Sequence, residues 1–201
     1  MEPVPARTHL AGVVIPIRAF RSGNVRLAEA LDADQREELA RMMAARVVAA
    51  AGALPVAVVT ADAEVRAWAA TAGLDVVADA GRGLDHAAAA GVAHHRDRGR
   101  RRVIVAHADL PRARPAGLER FAVAAPGIVT IVPCHRDDGT PVLAIPAAAD
   151  FGFAYGPGSA RRHAGVARAL GLAVHVVRDP DLGYDVDVPA DLDALDPLPV
   201  P

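Results

Sequence analysis

Acidic residues with a spacing that suits metal binding occur in two short segments far apart in the chain. The first reads HADLP (residues 107–111) and directly follows the apolar run at residues 103–106, so Asp109 comes just after a buried strand. The second reads DVDVPADL (residues 185–192), near the C-terminus. A carboxylate placed in this way can bind Mg²⁺, which prefers oxygen ligands and accompanies phosphates. From this segment alone, the alternative that Asp109 caps the turn before Pro111 stays open.

Asp185 and Asp187 strengthen the prediction of a metal site because they alternate in sequence. In an extended segment, alternate side chains point to the same side. Two like charges on one side repel unless a cation lies between them. With Asp109, the pair predicts a divalent metal held over a nucleotide, and hence nucleotidyl transfer. Asp191 follows Pro189 in a first helical turn, where a negative side chain suits the helix dipole, and is interpreted as structural.

A glycine-rich segment that opens a helix is a second candidate for ligand binding. It reads GPGSARRH (residues 156–163), and Gly156 lets the backbone approach a ligand closely. The free N–H groups of a helix N-terminus, with the Ser159 hydroxyl, can receive a phosphate. An ordinary glycine turn with Ser159 as the N-cap is the alternative. The Arg-Arg-His run at residues 161–163 either supports the anion or faces solvent.

Thr140 closes a polar turn and is a third candidate. The turn reads RDDGT (residues 136–140) and precedes a strand, so a simple hairpin turn is the competing interpretation. Two familiar phosphate motifs do not occur in the sequence. Arg161 breaks the pattern G-x-G-x-x-G, and a Walker A loop needs a lysine.

Hydrophobic patterning predicts alternating strands and helices around these segments. Strands are predicted at residues 13–17, 56–60, 76–78, 103–106, 128–132, 141–145 and 173–177, with the sixth running against the others. Helices are predicted at residues 34–51, 62–73, 84–98, 115–124 and 159–170, with a last short helix from Pro189. The alternation implies a single domain over residues 1–201, a mainly parallel sheet covered on both faces, and a frayed tail at 197–201. Ligands then lie beyond the carboxyl ends of the strands. Four polar residues fall at those ends: Arg18, Thr60, Asp79 and Asp109.

Composition and charge limit which classes of protein this sequence can belong to. The 201 residues suffice for one domain with a large core, and the net charge of −2 argues against broad nucleic-acid binding. All 22 basic residues are arginines, so no lysine can clamp a phosphate, and the run at residues 100–102 is expected on the solvated surface. Cys134 is the only cysteine and is interpreted as a packed thiol. No apolar run reaches the ~18 residues of a membrane span and no signal peptide is recognised, so a soluble cytoplasmic protein is expected.

The order and spacing of these segments resemble those of the 2-phospho-L-lactate guanylyltransferase family, whose members also use phosphoenolpyruvate. The resemblance extends over roughly residues 13–195 and rests on several short motifs. ADLP at residues 108–111 and GT at 139–140 match the family pattern unchanged. YGPGS at 155–159 stands for the family FGxGS, DVDVPADL at 185–192 for DVDTPxDL, and LD at 84–85 for LN. The family's N-terminal strand and its Arg-Leu pair correspond to VIPIR at 14–18 and NVRL at 24–27.

The resemblance implies a three-layer α/β/α nucleotidyltransferase fold, Rossmann-like and of the nucleotide-diphospho-sugar transferase type, with a mainly parallel mixed sheet. It implies an enzyme that couples GTP to phosphoenolpyruvate or 2-phospho-L-lactate, releases pyrophosphate and serves coenzyme F420 biosynthesis. The residues that it assigns to Mg²⁺ are Asp109, Asp185 and Asp187. Those that it assigns to the acceptor's phosphate and carboxylate are Thr140, Gly156 and Ser159. Those that it assigns to the nucleotide are Arg18, Asn24, Arg26, Leu84 and Asp85, of which Arg18 and Arg26 join Asp109 as catalytic residues.

Three departures from the family pattern concern residues that the resemblance assigns to the nucleotide. Arg18 and Asn24 stand where the family has lysines, so one charge is kept and one is lost. Asp85 stands where the family has Asn; an ionised Asp85 only accepts hydrogen bonds, which suits the N1–H and N2–H₂ edge of guanine and repels phosphate. The open alternatives are an adjusted active site, another acceptor, and a paralogue that binds nucleotide or phospho-acid without turnover. The oligomeric state also stays open, with a homodimer among the alternatives.

Overall fold

The computed structural model describes residues 10–21, 23, 25–136, 138–193 and 195. Asn24 and the tail at 197–201 therefore lie outside the described residues. The strands are β1 (Ala11–Pro16), β2 (Val56–Thr60), β3 (Asp75–Ala78), β4 (Arg102–Ala106), β5 (Ile128–Val132), β6 (Val142–Pro146) and β7 (Ala173–Val176). The helices are α1 (Ala33–Ala50), α2 (Ala63–Thr71), α3 (Leu84–Asp97), α4 (Ser159–Ala169) and α5 (Pro189–Leu192). Within this described part, no helix is both long enough and apolar enough to cross a membrane.

The strands form one sheet in the order β3-β2-β1-β4-β6-β5-β7. β1 pairs in parallel with β2 and β4, and β2 pairs in parallel with β3. β6 runs antiparallel to its neighbours β4 and β5, and β5 pairs in parallel with β7. Of the seven strands in the described chain, β6 alone is reversed, which confirms the predicted direction of this strand.

Helices cover both faces of the sheet, which gives three layers. Alternate residues of β1 enter different cores: Val13 and Ile15 pack with α1 and α2, whereas Val14 packs with α3. α4 lies on the α3 face, where Ala164 and Ala167 join the second core. Because both faces are buried, the central strands are continuous apolar runs rather than alternating ones. The predicted three-layer α/β/α architecture with a mainly parallel mixed sheet is confirmed.

One predicted helix is wrong. Residues 115–124 form turns with a short 3₁₀ helix at Glu119–Phe121 instead of an α-helix. The backbone N–H groups of Ala116 and Leu118 donate to the carbonyl oxygens of Ala49 and Ala50, at 3.0 and 2.8 Å. The segment thus forms backbone hydrogen bonds with the end of α1. Because these N–H groups already have partners, they cannot donate within an α-helix of their own.

The expectation that residues 100–102 lie on the solvated surface is wrong for Arg102. Arg102 begins β4 and is only 6% exposed. Its guanidinium donates to the carbonyl oxygens of Phe121, Ile128 and Ala144 and to the Thr130 hydroxyl, over 2.6–3.4 Å. Burial lowers the pKa of Arg102 to about 10. A buried cation is tolerated here because its donors meet oxygen atoms of the protein.

Candidate active site

The carboxyl ends of the parallel strands, here called the carboxyl edge, bring the predicted site residues together. Arg18 follows β1, Asp79 follows β3 and Asp109 follows β4. Because β6 is reversed, Thr140, which precedes it, also lies at the carboxyl edge. The backbone N–H of His107 donates to the Pro141 carbonyl oxygen at 2.8 Å and joins the end of β4 to the start of β6. Candidate residues from both halves of the chain therefore meet at one place.

The C-terminal acidic segment lies against Asp109. The backbone N–H of Val186 donates to the Asp109 carbonyl oxygen at 3.2 Å. Tyr184 and Val186 are buried in a small cluster with side chains of α1. Because successive side chains of an extended segment alternate, Asp185 and Asp187 face away from that cluster. The fold thus brings together the two acidic segments that the sequence singles out.

The environment of these carboxylates is unfavourable for bare negative charge. Burial, together with the charge of Asp187, raises the pKa of Asp109 to about 7. Among the described residues, Asp109 Oδ1 has no hydrogen-bond partner, and it is shielded from solvent. Asp185 is 8% exposed, and burial with the charges of Asp109 and Asp187 raises its pKa also. Carboxylates that repel one another, each with a buried oxygen that no described donor meets, are groups that a bound cation stabilises.

The donor set fits Mg²⁺ that is held jointly by protein and substrate. Across the described chain, no three Asp, Glu, His or Cys side chains are grouped closely enough to hold a metal ion by themselves. Mg²⁺ is commonly bound through one or two carboxylates and completes its shell with substrate phosphates and water. Asp109 and Asp185 match that requirement, since each has a buried Oδ1 without a hydrogen bond within the described structure. Asp187 is half-exposed, and its Oδ2 lies 3.9 Å from Arg26 Nη1.

The segment after β5 borders Asp185 on its other side. His135 Nδ1 lies 3.2 Å from Asp185 Oδ1, outside hydrogen-bond geometry, and Arg136 Nη1 lies 3.8 Å from the same oxygen. The His135 ring stacks on Tyr184 with centroids 4.6 Å apart. The Arg136 guanidinium therefore brings positive charge to this side of the site while Asp185 Oδ1 stays without a hydrogen bond in the described structure.

Asp191 fixes the turn that carries Asp187. Its Oδ2 accepts hydrogen bonds from the backbone N–H groups of Asp187 and Val188, at 2.8 and 2.9 Å. Its Oδ1 pairs with the Arg136 guanidinium. Burial alone would raise the pKa of Asp191, but these donors outweigh burial and lower it. These contacts agree with the structural interpretation of Asp191.

The glycine segment and the turn before β6 are joined by hydrogen bonds between buried side chains. Thr140 Oγ1 lies 2.9 Å from Ser159 Oγ and 3.1 Å from His163 Nδ1. His163 Nε2 accepts the backbone N–H of Ala154 at 3.0 Å. Thr140, Ser159 and His163 are each at most 1% exposed. The structure thus brings together two predicted acceptor residues and adds His163 as their interior support.

Arg162 and Asp138 shape the same loop. The Arg162 guanidinium donates to the carbonyl oxygens of Ala154, Tyr155 and Pro157, so it braces the loop from the helix that follows. Gly158, with φ 75°, turns the chain into α4, and its N–H donates to Asp138 Oδ1 at 2.5 Å. The Asp138 carboxylate therefore already accepts the hydrogen bond of this N–H group at the start of α4.

Two cavities meet at Arg18. The larger, about 820 Å³, is lined by the ends of β1 and β2 and the segment before α3, including Asp79 and Leu84. The smaller, about 220 Å³, is lined by Arg18, Leu84, His107 and Asp109. Ligand sites commonly have volumes of ~300–1,000 Å³, so the larger cavity can admit a nucleoside.

The other residues predicted to bind the nucleotide, Arg26 and Asp85, differ in their position and contacts. Arg26 is exposed in a short 3₁₀ helix beside Asp187. Asp85 lies in the first turn of α3, and its Oδ1 accepts the backbone N–H of Tyr155 at 2.8 Å. One oxygen of Asp85 therefore ties α3 to the glycine segment, and its second oxygen is the one that can meet a ligand.

Three residues at the site are not among the sequence predictions: His107, His135 and Tyr155. Each lies inside or beside a predicted segment, and that adjacency is the signal that could have found them. His107 opens HADLP, Tyr155 opens YGPGS, and His135 precedes RDDGT. These segments meet at the carboxyl edge because HADLP follows β4, RDDGT connects β5 to β6, and YGPGS leads into α4.

The fold has clear counterparts among solved structures. A protein described as a nucleotide-diphospho-sugar transferase from Desulfovibrio desulfuricans G20 superposes with a TM-score of 0.74 at 18% identity, over 92% of this chain and 85% of that one. A nucleotidyl transferase from Methanothermobacter thermautotrophicus superposes with a TM-score of 0.64 at 21% identity, over 91% and 94%. At these identities the likeness establishes the fold, which is the one that the nucleotidyltransferase class has.

Sequence comparison identifies the family within that class. The model of the family described as guanylyl transferase CofC like matches residues 11–195. A phosphoenolpyruvate guanylyltransferase from Conexibacter woesei is 35% identical over 192 residues, which cover 90% of this chain and 85% of the relative. The chain belongs to this guanylyl transferase family and is a nucleotidyltransferase, which confirms the predicted resemblance.

Proposed function

We propose that this protein is a guanylyltransferase that couples GTP to phosphoenolpyruvate or 2-phospho-L-lactate and releases pyrophosphate. The proposal includes Mg²⁺ as the cofactor and a role in coenzyme F420 biosynthesis in the cytoplasm. One observation carries it: Asp109 and the segment 185–187 meet at the edge that also bears Thr140 and Ser159. At this meeting point, Asp109 and Asp185 each have a buried carboxylate oxygen without a hydrogen bond in the described structure. The name of the Conexibacter woesei relative supports the choice of acceptor.

The reaction depends on alignment and charge neutralisation. A phosphate oxygen of the acceptor attacks the α-phosphorus of GTP, and the bond from that phosphorus to the bridging oxygen of the β-phosphate breaks, so pyrophosphate leaves. The attacking phosphate is already an anion, so no side chain has to remove a proton. Arg18 lines both cavities, and its planar guanidinium suits the oxygens of a triphosphate. Arg26 adds positive charge beside Asp187.

Asp109 and Asp185, with Asp187 beside them, are the residues that would hold Mg²⁺. A bound ion supplies positive charge that orients phosphate oxygens and stabilises the charge that develops on them. The protein's own part is to fix the carboxylates. Asp109 follows a fully buried strand, and Asp191 holds the turn at 187–188 through two backbone hydrogen bonds.

The acceptor side is built by the turn before β6 and the start of α4. His163 donates to Thr140, and Thr140 can then donate to Ser159, which leaves the Ser159 hydroxyl hydrogen free to turn towards an anion. An acceptor phosphate at the start of α4 takes the place of the Asp138 carboxylate at the Gly158 N–H. The second oxygen of Asp85, whose first oxygen accepts from the Tyr155 N–H, can accept the N–H groups of guanine.

A direct assay tests this proposal. The purified protein is incubated with GTP, Mg²⁺ and each acceptor in turn, and pyrophosphate release is measured with product mass. We expect release with GTP and one of the two phospho-acids, and much slower release with ATP, CTP or UTP. A sugar 1-phosphate serves as the control acceptor. A folded protein that releases no pyrophosphate with either phospho-acid, or that prefers the sugar phosphate, contradicts the proposal.

A further inference from the structure

Asp138 places a negative charge of the protein at the proposed acceptor site. Its Oδ1 accepts the backbone N–H of Gly158 at 2.5 Å, across 20 positions of sequence. Asp138 belongs to the turn between β5 and β6 and is exposed, whereas Gly158 directly precedes α4. The contact therefore joins the side chain of one loop to the backbone of another.

The surroundings of Gly158 attract anions. A Cβ atom at this position would lie 3.5 Å from Arg161 Nη2, 3.4 Å from Arg162 Nη1 and 4.0 Å from Asp138 Oδ1. Two guanidinium groups thus border the N–H group that donates to Asp138, and both can bind carboxylate or phosphate oxygens. The same positive charge that favours the Asp138 carboxylate also favours the anionic groups of an acceptor.

The turn that carries Asp138 is held by other contacts. The Gly139 N–H donates to Cys134 Sγ at 3.0 Å, and the Cys134 N–H donates to the Gly139 carbonyl oxygen at 3.2 Å. Thr140, the next residue, is fully buried and hydrogen-bonds with Ser159. Because these contacts fix the backbone beside it, the exposed Asp138 side chain can rotate away from α4 while Thr140 stays in place.

We propose that Asp138 is a built-in competitor of the acceptor: its carboxylate occupies the start of α4 in the free protein and leaves when an anionic group of the acceptor binds there. The inference rests on the proposed function, because it concerns the acceptor site of that reaction. Only molecules in which Asp138 has moved away can bind, so the apparent dissociation constant of every acceptor is raised by the same factor. Asp138 thus sets the acceptor concentration that the enzyme needs and takes no part in the chemical step.

Asp138→Ala separates a competitor from a residue that only ties the two loops together. Removal of a competitor frees the Gly158 N–H, so the acceptor KM should fall about fivefold, with kcat, the KM for GTP and the melting temperature unchanged. Asp138→Asn keeps an uncharged oxygen that can accept the same N–H, so its acceptor KM should lie between those of the wild type and Asp138→Ala. A tie between loops predicts a higher acceptor KM and a lower melting temperature for Asp138→Ala. That result, or an unchanged acceptor KM, overturns the proposal.

Inorganic phosphate provides a probe that does not depend on the identity of the acceptor. At saturating GTP, its inhibition constant against the acceptor should fall in Asp138→Ala by the same factor as the acceptor KM, because both anions meet the same competitor. Asp150→Ala is the matched control, since it removes one exposed carboxylate and changes the net charge equally. Equal effects in the two variants would assign the change to net charge and contradict the proposal.

Calorimetric binding of the acceptor, with Mg²⁺ and a GTP analogue whose bridge between the α- and β-phosphates cannot be cleaved, separates this inference from the proposed function. If neither protein releases pyrophosphate from GTP but Asp138→Ala binds the acceptor more tightly than the wild type, the proposed function fails and the competitor stands. If both turn over and Asp138→Ala binds the acceptor no more tightly, the competitor is refuted and the proposed function stands. If neither protein binds an acceptor, both are refuted.

Discussion

His163 accepts a hydrogen bond from the backbone N–H of Ala154, and this contact fixes the tautomer of the ring. A backbone N–H can only donate, so His163 Nε2 at 3.0 Å must be the unprotonated nitrogen. The proton then sits on Nδ1, which donates to Thr140 Oγ1 at 3.1 Å. One neutral imidazole therefore sets the direction of the hydroxyl pair formed by Thr140 and Ser159.

Two amide variants separate the two contacts of His163. His163→Asn places an N–H near the position of Nδ1 and can still donate to Thr140, but it leaves the Ala154 N–H unpaired. His163→Gln can still accept from Ala154 but loses the bond to Thr140. We expect each to destabilise the fold by about 1–3 kcal/mol. In kinetics, His163→Gln should raise the acceptor KM more than His163→Asn does. Equal acceptor KM values in the two variants would show that His163 acts on the fold alone.

Stability should fall in acid because of the same residue. Burial, with the charges of Arg162 and His107, lowers the pKa of His163 to about 4, although Asp85 opposes the shift. The unfolded chain, with a pKa of about 6.5, therefore binds the proton first. The stabilisation is fully present above pH 6.5 and is lost as the pH falls towards 4, by about 3 kcal/mol. Denaturant unfolding at pH 7 and at pH 4.5 should show this loss in the wild type and a smaller loss in His163→Gln.

Asp109→Asn should stabilise the metal-free protein and nearly abolish turnover. The amide keeps the shape of the side chain and removes a buried, repelled charge, so the melting temperature without Mg²⁺ should rise at pH 8. Loss of one carboxylate ligand should lower kcat about a hundredfold or more. The extra stabilisation that Mg²⁺ with GTP gives the wild type should also disappear. Asp150→Asn, on an exposed turn after β6, is the matched control and should change neither quantity.

Arg18→Ala should weaken nucleotide binding without affecting the fold. Arg18 is exposed at the end of β1 and lines both cavities, so its loss removes a charged contact to the triphosphate rather than a packing contact. We expect the KM for GTP to rise about tenfold and the acceptor KM to change little. Arg168→Ala, in the exposed last turn of α4, is the control. A GTP KM that is the same in both variants would remove Arg18 from the nucleotide site.

Asp191→Ala should release the turn that carries Asp187. Two backbone N–H groups and Arg136 lose their acceptor, so the free energy of unfolding should fall by about 2–4 kcal/mol. The Mg²⁺ concentration needed for half-maximal rate should rise, because Asp187 is no longer held. Asp193→Ala, an exposed change at the end of the same helix, should leave both values unaltered.

Many of the residues at the carboxyl edge can be predicted from sequence, because their type and their position relative to a strand are enough to place them there. Asp109 is an acid that directly follows an apolar strand, and Asp185 and Asp187 alternate around a valine, so their chemistry follows from local sequence. Thr140 reaches the same edge because β6 is reversed, and that reversal is itself predicted. These residues need no knowledge of side-chain packing to be placed on one side of the sheet.

The remaining features depend on contacts between distant segments. His163 lies in a polar run that local sequence assigns equally well to solvent or to an anion, yet it packs inside against Ala154 and Thr140. Arg102 belongs to a run of three arginines, and its burial follows from carbonyl oxygens supplied by three other segments. The failed helix at 115–124 has the same origin, since its backbone pairs with the end of α1.

Arg102 stands at the amino end of β4, whereas Asp109 follows the carboxyl end of the same strand. The Arg102 guanidinium donates hydrogen bonds to β5, β6 and the turn at Phe121. These hydrogen bonds therefore lie at the end of the sheet opposite the candidate active site. Substrates can therefore bind at the opposite end of the sheet while these hydrogen bonds keep the strands in register.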